Sequence, residues 1–237
     1  MKSVVVFAGR NGVDFSEVRT SVLRIPEVSI KIRQAQKAID QMGLEQIDLL
    51  AIANSDDSVL NKNSSVKIIL SSLVQLALFE RSLRSQRKPS YLMASTLEPS
   101  VLDLIKGESI TTFVQKALAS QAQELNQEEV SANVIQLNAV AAEPAEHMTV
   151  VEVNIAENGT LKSVNEVLKG SEAKKLFTEL IEKMNVTKFV NIGPANALAS
   201  SNDEALESVT VIDSIEADPI LNWFWQGLRP LANSYAV

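Results

Sequence analysis

Short apolar runs rich in β-branched residues alternate with longer segments whose apolar residues recur every three or four positions. The first pattern predicts strands buried on both faces, and the second predicts amphipathic helices. The predicted strands are Ser3–Phe7, Ile47–Ala53, Tyr91–Ala94, Val134–Val140, Val150–Ile155, Lys188–Ile192 and Val209–Ile212. The predicted helices are Ser29–Met42, Ser64–Leu83, Glu98–Lys106, Thr111–Leu125 and Ser171–Met184. Strands interleaved with helices predict an α/β fold with a mostly parallel sheet flanked by helices.

The size of the chain fits one large domain. Its 237 residues are 46% hydrophobic, which is enough apolar material for a sizeable core. We therefore expect a single α/β domain over residues 1–237. The polar segment Glu124–Ser131 is the best candidate for a linker or surface loop.

The composition of the chain argues against several classes of function. A net charge of −7 argues against nucleic-acid binding, which usually needs a basic surface. No apolar run approaches the about 18 residues that cross a bilayer. The chain has no cysteine, which excludes disulfides, thiolate metal sites and a cysteine nucleophile. Its one histidine, His147, excludes a zinc site built on two or three histidines. We expect a cytoplasmic protein that holds no metal and no cofactor.

The segment Tyr91–Ser100 reads as a short strand, a tight turn and the start of a helix. This is the frame of a nucleophile elbow, G-x-S-x-G, in which a serine lies on a sharp strand-to-helix turn. Ala94 and Glu98 occupy the glycine positions, and Thr96 occupies the serine position. A threonine hydroxyl can act as a nucleophile, but its extra methyl group crowds a sharp turn.

The same segment has a purely structural interpretation, which the sequence favours. Thr96 or Ser95 can cap the helix that follows, with Glu98 and Pro99 in its first turn. For catalysis, Thr96 or Ser95 needs a base, and His147 is the only histidine available. Similarly, a turn is favoured over an anion-binding loop for Gly9–Gly12, and solvated surface over a metal site for the acidic residues Asp48, Asp56, Asp57, Glu143 and Glu146.

Both tryptophans of the chain lie in the segment Asp218–Leu228. On a helix, the consecutive residues Trp223, Phe224 and Trp225 point in three directions and cannot all face one core. Aromatic side chains often anchor interfaces, so two interpretations stay open: packing against the rest of the domain, or an interface with another chain.

Four segments, in this order, resemble motifs of the malonyl-CoA:acyl carrier protein transacylase family, the acyltransferases of fatty acid and polyketide synthesis. Val5–Gly12 resembles the opening strand and its F-P-G-Q-G-S loop. Ser64–Leu83, followed by Lys88–Tyr91, resembles the helix and strand that lead into the elbow. Gly107 follows Thr96 at the family's spacing. Finally, Lys188–Leu198 resembles the F-V-E-I-G-P-G-x-x-L strand and loop.

This resemblance implies the large hydrolase-like subdomain of these transacylases, with degenerate functional positions. Thr96 stands at the nucleophilic serine, and Arg10 stands at the glutamine of the first loop. The arginine that binds the malonyl carboxylate falls at Gln121 or Ala122, neither of which offers a bidentate fork. His147 lies a few residues after the position of the catalytic histidine. The family's small ferredoxin-like subdomain is reduced to a short connection near residues 122–133.

The resemblance therefore implies a degenerate, non-catalytic homologue that acts by binding in fatty acid or polyketide assembly. Its partner would be acyl carrier protein or a synthase subunit. The alternative is an active acyltransferase or acyl hydrolase that uses Thr96 or Ser95 with His147. A third hypothesis is an unrelated α/β regulatory or scaffold protein. The sequence leaves open whether the chain forms a homo-oligomer.

Overall fold

The computed structural model of the chain describes residues 2–8, 13–96, 99–131, 147–170, 173–194 and 208–223. Within these ranges, residues 61, 121–131 and 173 are described by their backbone alone. The predicted strand Val134–Val140 lies outside the described residues.

A six-stranded mixed sheet organises the described part of the chain. Its strands are β1 (Lys2–Phe7), β2 (Tyr91–Ser95), β3 (Met148–Ile155), β4 (Leu161–Gly170), β5 (Val186–Ile192) and β6 (Thr210–Asp213). They lie side by side in the order β4-β3-β2-β1-β5-β6. β2, β1, β5 and β6 are parallel neighbours, whereas β3 is antiparallel to both β2 and β4. With helices on both faces, this confirms the predicted α/β fold.

The described helices connect and cover these strands. They are α1 (Phe15–Thr20), a 3₁₀ turn (Val22–Arg24), α2 (Pro26–Gln41), α3 (Leu49–Ala53), α4 (Asp57–Asn61), α5 (Ser64–Ser85), α6 (Val101–Ile105), α7 (Ile110–Ser131), α8 (Ala173–Glu182) and α9 (Ser214–Ala217). Residues 219–223 form a further helical turn.

Each face of the sheet has its own hydrophobic core. On the first face, Val5 and Phe7 of β1 pack with α5 and its neighbours, and the Phe7 and Phe79 rings meet edge to face at 5.4 Å. On the second, Val4 and Val6 pack with α8. Alternate residues of β1 thus enter opposite cores, which explains why a strand buried on both faces reads as a continuous apolar run.

Helix α5 occupies the centre of the first core. It packs against both α2 and α7 and is buried along most of its length. The side chain of Gln75, itself buried, donates from Nε2 to the carbonyl oxygen of Ala8 at 2.9 Å. A buried amide in an apolar helix needs such a partner, and this one fixes the end of β1 against α5.

The prediction of a strand over Ile47–Ala53 is wrong. Leu49–Ala53 forms α3, because the side chain of Asp48 accepts a hydrogen bond from the backbone N–H of Ala51 at 2.9 Å and caps the helix. A short apolar run has no period that separates a strand from a buried helix, so the capping residue decides the outcome.

Two further predictions differ from the structure. Glu124–Ser131 is not a loop, because α7 continues through it to Ser131. Strand β4 has no counterpart among the predicted strands, because half of its residues are exposed and polar. The predicted strands Ser3–Phe7, Tyr91–Ala94, Val150–Ile155, Lys188–Ile192 and Val209–Ile212 are confirmed to within two residues at each end.

Candidate functional site

The carboxyl ends of the parallel strands meet at one end of the sheet. Open α/β sheets usually bind ligands there. Ala8 follows β1, Thr96 follows β2, Gly193 follows β5, and Asp213 closes β6. We call this region the carboxyl end of the sheet. It contains two separate polar clusters, one after β2 and one after β5 and β6.

The cluster after β2 joins the two residues that sequence analysis singled out for catalysis. The backbone N–H of Thr96 donates to the carbonyl oxygen of His147 at 2.7 Å. The Thr96 hydroxyl donates to the same oxygen at 3.1 Å. Thr96 and His147 therefore lie side by side, immediately beyond the last residue pair of β2 and β3, which is Ser95 with Met148.

This contact runs through the main chain of His147 rather than through its ring. The His147 side chain is exposed, and the Thr96 hydroxyl is directed to a peptide oxygen. A peptide carbonyl is a good hydrogen-bond acceptor but takes no proton near neutral pH. General-base activation needs a hydrogen bond from the hydroxyl to a basic nitrogen or carboxylate. The described geometry therefore holds Thr96 in a structural hydrogen bond.

The interpretation of Thr96 or Ser95 as a helix N-cap is also wrong. Helix α6 begins at Val101, and its N-cap is Ser100. The backbone N–H of Ser100 donates to Oδ2 of Asp103 at 2.8 Å, which is one half of a capping box. The pattern Ser100-x-x-Asp103 was available in the sequence as a start signal. Ser95 is the last residue of β2 and is partly buried.

The cluster after β5 and β6 is built around Asp213. Its Oδ1 accepts from the backbone N–H of Ile215 at 2.8 Å, which caps α9, and its Oδ2 accepts from Nδ2 of Asn191 at 3.1 Å. The carboxylate also lies against Gly193, where a Cβ would stand 2.7 Å from Oδ2. Glycine is therefore the one residue type at position 193 that leaves room for the Asp213 carboxylate.

Burial raises the pKa of Asp213 above its ordinary value. Desolvation disfavours the charged form, and the hydrogen bonds from Ile215 and Asn191 only partly offset it. Sequence analysis missed this carboxylate. The available signal was an Asp directly after an apolar strand and before Ser214-Ile215-Glu216, a pattern typical of a helix N-cap.

Most of the other predicted site positions have no described side chain. Arg10, Phe224 and Trp225 lie outside the described residues. Gln121 lies on α7, and only its backbone is described. Trp223 lies in the helical turn 219–223 with 78% of its surface exposed, so its side chain is not part of the described core.

In the described ranges, no group of three or more His, Asp or Glu side chains is arranged to hold a metal ion. None of the helices described in these ranges is long and apolar enough to cross a bilayer.

Comparison with known proteins links this architecture to one group of solved structures. No protein-family model matches the chain, and no curated protein matches it either. An acyl-carrier-protein S-malonyltransferase from Burkholderia pseudomallei 1710b matches with a TM-score of 0.59 at 12% identity, over 97% of this chain and 100% of that one. A malonyl CoA-acyl carrier protein transacylase from Clostridium perfringens ATCC 13124 matches with a TM-score of 0.58 at 13% identity, over the full length of both chains.

The chain has the malonyl-CoA:acyl carrier protein transacylase fold. A third structure with this fold is a malonyl-transacylase in complex with its type II PKS acyl-carrier protein, with a TM-score of 0.58 at 13% identity over 92% of this chain and 99% of that one. The predicted resemblance is thus confirmed for the fold. At this identity the likeness concerns the path of the backbone, so the chemistry of this chain depends on its own side chains.

Proposed function

We propose that this protein is a non-catalytic member of the transacylase fold, acting as a binding partner in fatty acid or polyketide assembly. The observation that carries the proposal is the hydrogen bond from the Thr96 hydroxyl to the main-chain oxygen of His147. Where transacylases of the predicted family carry a serine and its base, this chain has a threonine whose proton is directed to a peptide carbonyl. Without a base, the hydroxyl is a poor nucleophile.

One solved structure with the same fold supports the choice of partner. A malonyl-transacylase with the same fold is found in complex with an acyl-carrier protein. We propose that this chain binds a carrier protein, or a synthase subunit that carries one, without transferring an acyl group. The proposal includes a single domain over residues 1–237 and a cytoplasmic location, in keeping with a chain that has no cysteine.

A second candidate function is an active acyltransferase or acyl hydrolase with a non-standard site. The observation that favours it is the closeness of Thr96 and His147, which lie just beyond the adjoining ends of β2 and β3 although 51 positions separate them in sequence. For catalysis, the Thr96 hydroxyl would have to donate to the imidazole of His147 instead of to the His147 carbonyl oxygen. The two candidates therefore differ in one measurable outcome, the acylation of Thr96.

Calorimetric titration with carrier proteins tests the binding function. The carrier proteins should come from the same cell, in forms with and without an attached acyl group. We expect saturable binding in the micromolar range, about −8 kcal/mol, for at least one carrier protein. An unrelated protein of similar negative charge serves as the control and should give no heat. Failure of every carrier protein to bind, in titration and in pull-down alike, would sink the binding function.

A further inference from the structure

The two lateral edges of the sheet differ in length. β6 forms one edge with four residues, Thr210–Asp213, and β4 forms the other with ten, Leu161–Gly170. Among the described residues, β4 has a strand neighbour on its β3 side alone. An edge strand presents backbone N–H and C=O groups that can pair with a further strand. β4 therefore offers the longer edge for pairing with a further strand.

Irregular pairing limits the part of β4 that can act in this way. Its register with β3 shifts twice, which leaves Lys162 and Val167 as extra residues on β4. Bulges of this kind interrupt a ladder and increase its twist. Residues 163–166 lie between the two shifts and pair regularly with β3, so they form the straightest segment of this edge.

The five residues Lys162–Glu166, which are this segment together with the residue at one register shift, are self-complementary in charge about Val164. Lys162 lies two positions before Val164, and Glu166 lies two positions after it. Both charged side chains are exposed, as are Ser163 and Asn165, while Val164 packs against the core of the first face. In an antiparallel pair centred on Val164, Lys162 of each copy stands opposite Glu166 of the other. Directly opposite residues share a face, with Cβ atoms about 4.5–5.5 Å apart.

The same charges disfavour two competing arrangements. Parallel pairing in register would set Lys162 against Lys162 of the second copy. Antiparallel pairing centred between Asn165 and Glu166 would set Lys162 against Lys169. Like charges directly opposite each other destabilise a sheet. The charge order therefore disfavours these two arrangements and favours the antiparallel pair centred on Val164.

We propose that β4 is the interface for a second copy of this chain. Two copies pair antiparallel about a two-fold axis at Val164, and two sheets become one continuous sheet. Such an interface is isologous and closes on itself, so association stops at a dimer. Because the straight segment is short, the dimer dissociates on dilution. The occupant is a second copy because the complementary charges lie on the same strand.

Analytical ultracentrifugation of the full chain over a wide concentration range tests this interface. The wild-type average mass rises from monomer towards dimer as concentration increases. Lys162→Glu or Glu166→Lys alone sets two like-charge pairs in the interface, and each raises the dissociation constant about tenfold or more. The two changes together exchange the charges within each pair and restore wild-type association. Lys169→Glu, on the same strand but outside the paired segment, serves as the control and leaves association unchanged.

Three results would overturn the interface. One is a wild-type chain that stays monomeric up to about 500 µM, a limit that corresponds to negligible affinity. The second is a dimer that neither single charge reversal weakens. The third is a double variant that associates as weakly as the single ones. If a charge reversal prevents folding by circular dichroism, Lys162→Gln and Glu166→Gln replace it, and each is expected to weaken the dimer by a smaller factor.

Discussion

The two polar clusters at the carboxyl end of the sheet differ in what their side chains do. After β2, Thr96 is partly exposed, and both of its hydrogen bonds go to one main-chain oxygen. After β5 and β6, Asp213 is partly buried against Gly193 and accepts hydrogen bonds from Ile215 and Asn191. The first cluster occupies the position expected for chemistry, but among the described residues the Thr96 hydroxyl donates to a peptide oxygen and not to a base. The second contains a desolvated carboxylate at a position that sequence analysis did not single out.

Position in a fold and local chemistry are therefore separate properties. The backbone of β2 follows the path expected from the transacylase fold. Thr96, however, uses its backbone N–H and its hydroxyl to extend the pairing of β2 with β3. In the second cluster, burial of Asp213 costs free energy, and the local structure accommodates it through Gly193 and the cap of α9. Substitutions in the two clusters should therefore have very different effects on stability.

The largest effect is expected at Gly193. In Gly193→Ala, the new Cβ would stand 2.7 Å from Oδ2 of Asp213, so the carboxylate must move away from Asn191 or from the cap of α9. We expect the free energy of unfolding to fall by about 2 kcal/mol, as is usual for an overpacked site. Denaturant unfolding measures this change.

Gly170→Ala is the matched control for Gly193→Ala. Its Cβ would meet Leu176 at an ordinary 3.5 Å, so we expect a change of about 0.5 kcal/mol or less. In the double variant of Gly193→Ala with Asp213→Ser, the serine still caps α9 and leaves more room. We expect the double variant to lose less stability than the sum of the two single changes. If the changes in the free energy of unfolding were strictly additive, the Cβ added at position 193 and Asp213 would have no steric conflict.

The next effect is a pH dependence carried by Asp213. Because the pKa of Asp213 is raised in the folded state, the folded protein holds this proton more tightly than the unfolded chain does. Its contribution is therefore most favourable below the ordinary value of 3.8 and is lost as pH rises from there through the raised value. Asp213→Asn should remove this loss, so the variant gains stability relative to wild type as pH rises.

Asp218 provides the opposite case and serves as the control. Burial opposes its ionisation, but hydrogen bonds from Leu221 and Arg81, with the charge of Arg81, outweigh it and lower the pKa. Its stabilising contribution is present above 3.8 and is lost as pH falls through the lowered value. Asp218→Asn should therefore lose stability relative to wild type at neutral pH. Unfolding curves for both variants from pH 3 to 7 measure how the stability of each variant relative to wild type changes with pH. A change in the same direction for both variants would contradict the opposite pKa shifts of Asp213 and Asp218.

The smallest effect on stability is expected at Thr96. Thr96→Val removes the hydroxyl but keeps the shape and the backbone N–H bond to His147, which is the shorter of the two at 2.7 Å. We expect a loss of about 0.5 kcal/mol, because the side-chain bond is exposed to water. Thr178→Val, which removes another exposed hydroxyl bonded to a main-chain oxygen, is the comparison. A loss above about 2 kcal/mol would show that Thr96 does more than extend the ladder.

How far the sequence predicts this molecule depends on the kind of signal each part carries. Strands β1, β2 and β5 were predictable because buried parallel strands read as continuous apolar runs. Strand β6 was predictable from the apolar run Val209–Ile212, although it lies at the edge of the sheet and its first two residues are exposed. The edge strand β4 was not, since Lys162 and Glu166 face solvent and its pairing with β3 is irregular. Leu49–Ala53 was misassigned because a short apolar run fits both a strand and a buried helix.

The candidate site was predicted less well than the fold. Thr96 and His147 were named from the sequence, but their contact depends on β2 pairing antiparallel with β3, a long-range feature that no local pattern encodes. Ser100 was missed as the N-cap of α6, although Asp103 three positions later was a readable signal. Asp213 was missed because its importance comes from burial beside Gly193, which only the tertiary structure shows.

The proposed non-catalytic function requires that the Thr96 hydroxyl has no base and forms no acyl intermediate. Intact-mass spectrometry after incubation with malonyl-CoA and acetyl-CoA tests it most directly, with the Clostridium perfringens transacylase as a positive control. We predict that wild type and Thr96→Ser both stay unmodified while the control enzyme is acylated, because restoring the serine alone does not supply a base. An acyl adduct on wild type that maps to Thr96, and that both Thr96→Ala and His147→Ala abolish, would contradict the account.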